Sequence, residues 1–148
     1  MKRYIFFLIA IFSSVLSNGQ VRKVTGTVID ENELKPIPGV KIYSPDKKKE
    51  FGVTDMKGNF EIECDKSEDE LLFIFLGMER TDIKLSSDCG NLEVIMMFDI
   101  IYDYITSNKI NRKRFKRFKG LTQKHKQAHK EGIFTSDTSC FSYVFHKY

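Results

Sequence analysis

The hydrophobic rhythm of the chain changes twice. An uncharged, largely apolar run fills Tyr4 to Leu16, behind Lys2 and Arg3. From residue 23 to 97, short runs of alternating apolar and polar residues follow, broken by turn formers. Beyond residue 98, apolar residues recur three or four apart among many cations. A period of two reads as strand and a period near 3.6 as helix. The chain is therefore expected to have a leader, a strand-rich body and a partly helical end.

Seven strands are predicted in the body, with turn chemistry every 8–12 residues or so, the spacing of small all-β domains. Lys23–Asp30 is β-branched and alternates. Val40–Ser44 follows Pro36-Ile37-Pro38-Gly39, where proline forbids helix and glycine permits a sharp bend. Phe51–Thr54 is brief, and Asp55-Met56-Lys57-Gly58 has the Asp and Gly of a type I turn. Asn59–Cys64 alternates strictly, placing Phe60, Ile62 and Cys64 inward. Leu71–Leu76 is continuously apolar, as a central strand covered on both faces would be. Thr81–Leu85 and Leu92–Met97 complete the set, and a core made by these strands should fold without the tail.

The leader decides the compartment. Two cations, a 13-residue apolar run and the small residues Ser17 and Gly19 before Gln20 have the layout of a secretory signal peptide. A bilayer span needs about 20 residues, so cleavage between Gly19 and Gln20 is expected rather than anchoring. The division is then 1–19 signal peptide, 20–98 β domain and 99–148 extension.

Four elements of the body carry a resemblance: Gly26-x-Val28-x-Asp30, Pro36-x-Pro38-Gly39-Val40-x-Ile42, Thr54-Asp55-x-x-Gly58-x-Phe60, and an apolar strand ending at Gly77. Together they resemble the carboxypeptidase regulatory-like domain over about residues 23–97. The resemblance implies a seven-stranded antiparallel β-sandwich of the transthyretin (prealbumin) type. It also implies envelope context, since such domains occur in Gram-negative envelope proteins and before the plug of TonB-dependent receptors. It implies no peptidase activity, because the zinc and catalytic residues of those peptidases lie in a separate domain. Asp30 and Asp55 fit turn caps; a calcium role lacks the spaced oxygens of a calcium loop.

Net charge sharpens the division. The chain carries +4 overall, but residues 21–98 hold 11 Lys+Arg against 16 Asp+Glu, and residues 99–148 hold 11 against 4. Phe98–Ile105 has helical spacing with early acids, Asp99 and Asp103. Arg112, Lys113, Arg114, Phe115, Lys116, Arg117, Phe118 and Lys119 then set six cations around two aromatics. A narrow stripe of Phe115, Phe118, Leu121 or Thr122, His125 and Ala128 predicts a helix over Arg112–Lys130, weakened by Gly120 and ended by Gly132. Such a surface suits an acidic protein partner, an anionic lipid or lipopolysaccharide surface, or a carbohydrate. Its two phenylalanines could equally dock on the core. Export argues against nucleic acid.

His125 and His129 have the i, i+4 spacing of a metal pair, but no Glu lies between them in the catalytic arrangement and Lys124, Lys126 and Lys130 would repel a cation. Phe141–Phe145 alternates like a strand, yet the chain lacks the strands of a membrane barrel. Of Cys64, Cys89 and Cys140, strand parity puts the first two at one pole, so a Cys64–Cys89 disulfide is expected with Cys140 left over. A small core residue is the alternative for Cys64. No nucleophile elbow, zinc-protease helix or paired acids appear. The expectation is a non-enzymatic exported module without cofactor, periplasmic, outer-membrane-associated or secreted, that engages an envelope protein or gives structural support. An anionic-surface or carbohydrate binder is the alternative, followed by an enzyme with an unrecognised site.

Overall fold

The computed structural model describes residues 21–148; the expected signal peptide and the expected cut at Gly19–Gln20 lie outside them. All seven expected strands form: β1 (Val21–Asp30), β2 (Lys41–Tyr43), β3 (Glu50–Val53), β4 (Asn59–Asp65), β5 (Glu70–Ile74), β6 (Thr81–Leu85) and β7 (Asn91–Met96). The extension adds a long helix, α1 (Ser107–Lys130), and an eighth strand, β8 (Phe141–Val144). One sheet has the order β4-β1-β7 and the other β3-β2-β5-β6-β8. The arrangement is mainly antiparallel, but β1 and β7 run parallel, with Val28 opposite Val94. The expected all-antiparallel sandwich is corrected on that point. The two strands are distant in sequence, so no tight hairpin constrains their relative direction.

Alternation does what it should. Phe60, Ile62 and Cys64 of β4 face inward, where they meet Val24, Val28, Leu92, Val94 and Met96 of the same sheet. Ile42, Leu71, Phe73, Ile83 and Leu85 of the other sheet close the cluster from the opposite side. β5, third in its five-stranded sheet, buries Leu71, Leu72 and Phe73 in succession, as its unbroken apolar run requires.

Turns bring the strands into register. Asp30 accepts hydrogen bonds from the backbone N–H groups of Asn32, Glu33 and Lys35 at 2.7–3.0 Å. Asp55 accepts from Lys57 and Asn59, both at 2.8 Å. Both carboxylates therefore serve as turn caps. Gly58 sits at φ +72°, and a Cβ there would lie 2.6 Å from the Val28 carbonyl oxygen. A side chain at that position would be strained by conformation and by contact.

The extension is built into the same body. β8 pairs with β6, Phe141 opposite Leu85. α1 covers the outer face of the three-stranded sheet, where Leu121, Ala128 and Phe134 join Ile29, Leu34, Ile95 and Met97 in a second buried cluster. β7 thus has apolar residues on both faces, Val94 toward one cluster and Ile95 toward the other. Tyr143 of β8 packs against both clusters, and its hydroxyl accepts the Ile95 N–H at 2.7 Å.

Two expectations about the extension are corrected. Residues 98–105 are not helical: at their start Phe98 N–H bonds the Glu31 carboxylate and Asp99 N–H bonds Gly77 O, and near their end Tyr104 takes φ +59°, which breaks a right-handed helix. The disulfide joins Cys89 to Cys140, with Cα atoms 5.4 Å apart, and Cys64 is free. Strict alternation turns Cys64 into the core beside Ile62. The β6–β8 register delivers Cys140 next to the Ser86–Cys89 turn, whose Ser86 hydroxyl donates to the Cys140 carbonyl.

Candidate interaction surface

α1 starts after Thr106, crosses Gly120 unbroken and ends where Gly132 takes φ +75°. Ile133 and Phe134 N–H groups there return to Ala128 O at 2.9 and 3.2 Å. Basic residues in the last turn, His129 and Lys130, suit the negative end of the helix dipole. Its buried stripe is Arg114, Leu121, His125 and Ala128, with Phe118 half-buried. An arginine thus takes the place that the sequence pattern gives to Phe115, which is 43% exposed.

The reason is a pair of buried acids. Glu31 follows β1 and Glu79 precedes β6, and both are buried. Arg114 donates from Nε and Nη2 to Glu79 Oε2 at 3.0 and 2.8 Å, with side-chain exposures of 5% and 2%. Its Nη1 donates to the His146 carbonyl at 2.8 Å, and the Tyr148 ring centroid lies 3.7 Å from the guanidinium carbon. Arg117 bridges Glu31 and Glu79 and donates to the Phe98 carbonyl at 2.8 Å. Buried charges persist when they are paired and hydrogen-bonded. These two arginines lock α1 onto the β body.

The same run also has an outer side. Arg112, Lys113, Lys116 and Lys119 are exposed, and among the described residues no ion pair engages them. Lys113 lies over the Tyr102 ring at 5.7 Å and Lys119 over Phe115 at 5.2 Å. Phe118 goes inward, against Tyr143 and Phe145. The eight predicted contact residues therefore divide. Arg114, Arg117 and Phe118 hold the structure together, and the other five present a basic surface edged by an aromatic ring.

Beside that surface lies a cleft of about 370 Å³, lined by Asn108, Asn111, Arg112, Phe115, Phe145 and Lys147. Its far wall is pinned: Asn111 donates to Tyr148 O at 3.1 Å and accepts the Tyr148 N–H at 2.9 Å. Phe115 and Phe145 meet edge to face at 5.1 Å. Sequence reading missed Asn108, Asn111, Phe145 and Lys147 as neighbours, because only the return of β8 beside α1 brings them together. It also missed Glu31 and Glu79. Their only trace in the sequence is an acid flanking an apolar strand.

His125 and His129 do not converge. His125 is buried against Phe134, its Nε2 3.7 Å from Glu93 Oε2, and burial pushes its pKa below 6.5 against the pull of Glu93. His129 is exposed, its Nδ1 3.2 Å from Phe134 O. Glu93 is itself held by the Thr135 hydroxyl at 2.8 Å and the Ser136 N–H at 3.2 Å. No cluster of three or more metal-ligating side chains occurs among the described residues. No helix among them is long and apolar enough to cross a membrane.

Comparison with known proteins places the β body. No curated protein matches the chain. A solved 9R-lipoxygenase from Cyanothece PCC8801 is 20% identical over 60% of this chain, with a TM-score of 0.34; the chain spans 18% of its length. A likeness that loose carries no argument. The family model described as CarboxypepD_reg-like domain matches residues 24–99, just over half of the chain. α1 and β8 fall beyond the matched residues. That domain is a non-catalytic β-sandwich module, and since its family model matches more than half of the residues, this chain belongs to the CarboxypepD_reg-like domain family.

Proposed function

We propose that this chain is an exported, non-enzymatic module of a Gram-negative envelope, attached to an acidic protein partner through the outer side of α1. Export rests on Lys2-Arg3, the apolar run and the Gly19–Gln20 cut. Envelope placement, periplasmic or outer-membrane-associated, rests on the company such domains keep. The transthyretin-like topology belongs to the same proposal, supported by the family match and by two sheets facing one core.

One observation carries the attachment. Glu31 and Glu79 take up Arg114 and Arg117, whereas Arg112, Lys113, Lys116 and Lys119 keep their charge in solvent on the same helix. Cations held on a rigid element without ion partners attract an acidic surface and speed its encounter. That attraction is screened over about 8 Å at physiological salt. The test compares proteins cross-linked in envelope extract to wild type and to a Lys113→Gln/Lys116→Gln/Lys119→Gln variant. A partner held by wild type, released by salt and lost by the variant at unchanged melting temperature is expected. Equal capture by both chains sinks the reading.

Exposed large hydrophobic residues favour a second reading. Ile101 and Tyr104, just before α1, stand 84% and 105% exposed, and apolar tips beside cations suit an anionic bilayer. Cosedimentation with anionic but not neutral vesicles, abolished by Ile101→Ser/Tyr104→Ser, would put lipid in place of the protein partner.

A further inference from the structure

We infer that the cleft between the first turns of α1 and residues 145–148 is a peptide site, taking an acidic linear segment whose apolar side chain rests on the floor that Phe115 and Phe145 form together. The inference rests on the proposed attachment to an acidic protein and names the element that would be recognised.

Three observations support it. The cleft is preformed, because its strap is fixed at three points: Arg114 Nη1 to His146 O at 2.8 Å, and both backbone groups of Tyr148 to Asn111. These bonds, with the His146–Asp82 contact at 3.0 Å, turn His146 and Tyr148 toward the body, while Phe145 and Lys147 line the cleft. A preorganised site spends less of its binding energy on ordering side chains. Second, the lining is mixed as a peptide site requires. Phe115 and Phe145 form an apolar floor, and Arg112 and Lys147 flank it with no ion pair among the described residues. Asn108 adds an exposed amide for backbone groups. Third, the volume of about 370 Å³ lies within the range of ligand clefts but leaves room for little more than a short stretch of chain. Arginine contributes a planar fork that matches a carboxylate, so Arg112 is the residue expected to select Asp or Glu.

The experiment is fluorescence anisotropy with the full chain and a labelled ten-residue peptide alternating Asp or Glu with Leu and Phe. A second peptide carries Asn and Gln in place of the acids. Saturable, salt-sensitive binding of the acidic peptide alone is expected. Arg112→Gln/Lys147→Gln should weaken it about tenfold, since exposed ion pairs are individually small; both are surface changes, and an unchanged melting temperature verifies the fold. Phe115→Gln should weaken binding of the acidic peptide further. Equal binding of the neutral peptide, or an Arg112→Gln/Lys147→Gln variant that binds like wild type, overturns the site. If that variant binds normally while Lys113→Gln/Lys116→Gln/Lys119→Gln does not, the cleft is refuted and attachment through the helix survives. If neither variant loses binding, both fall. Displacement of the peptide by anionic vesicles but not by an unlabelled acidic peptide assigns the surface to lipid and also overturns the peptide site.

Discussion

The strands of residues 21–97 and the segment of residues 98–148 are made by different logics. In the strands, each local pattern already contains its own solution: β4 alternates and buries every second residue, and β5 is apolar from Leu71 to Ile74 and lies inside its sheet. In the C-terminal segment the local pattern is ambiguous. Six cations around two aromatics look like one basic surface, yet Arg114 and Arg117 are structural while Lys113, Lys116 and Lys119 are exposed and have no ion pair among the described residues. What separates them is the location of Glu31 and Glu79, which are far away in sequence. Charge of one sign does different work according to what it faces.

The broadest way to break this contrast is to end the chain at Met97. That removes Leu121, Ala128 and Phe134 from Ile29, Leu34, Ile95 and Met97, and takes β8 from β6. The strand pattern alone predicts a fragment that folds without the tail; the second cluster and the β6–β8 pairing reverse that expectation, so this fragment should lose cooperative thermal unfolding and expose apolar surface to dye. A fragment melting within a few degrees of the full chain would show the C-terminal segment to be an accessory.

A sharper cut is Arg114→Ala. Removing one partner of a buried ion pair costs about 3–5 kcal/mol, or a fall in melting temperature of well over 10 °C at roughly 4 °C per kcal/mol. Glu79→Leu/Arg114→Met should recover much of that loss, since an apolar pair leaves no buried charge alone. A drop of only a few degrees in Arg114→Ala would mean that the arginine is as dispensable as its lysine neighbours.

Next in size is the disulfide. Cys140→Ser should lower stability by about 2–4 kcal/mol, as expected for opening a long covalent loop. Non-reducing peptide mapping should recover Cys89 joined to Cys140, with Cys64 alkylated only after unfolding. A peptide linking Cys64 to either partner would contradict the register of β8.

The smallest effect is pH dependence at His125. Burial lowers its folded pKa beneath the ordinary 6.5, so the folded chain binds fewer protons than the unfolded one. Glu93 and Asp137 oppose that shift and His129 adds to it. Stability should therefore decline as pH falls through 6.5 toward the folded value and level off below it. Melting curves between about pH 7.5 and 5 should fall more steeply for wild type than for His125→Gln. Parallel curves would show that burial against Phe134 does not lower the His125 pKa.

Sequence alone determined the strands, their inward residues, the turn caps at Asp30 and Asp55, and the end of α1 at Gly132, because each depends on a few neighbouring residues and a fixed period. The Phe141–Phe145 alternation was also legible, and it became β8. Only tertiary structure decided that β1 and β7 run parallel, that Phe98 and Asp99 are bonded to Glu31 and Gly77 rather than starting a helix, and that Cys140 rather than Cys64 reaches Cys89. It also decided which cations of α1 are spent on buried acids and which five residues remain to form a surface. Those outcomes turn on pairings between residues dozens of positions apart, and a helix period records which side of a helix faces inward without recording what waits there.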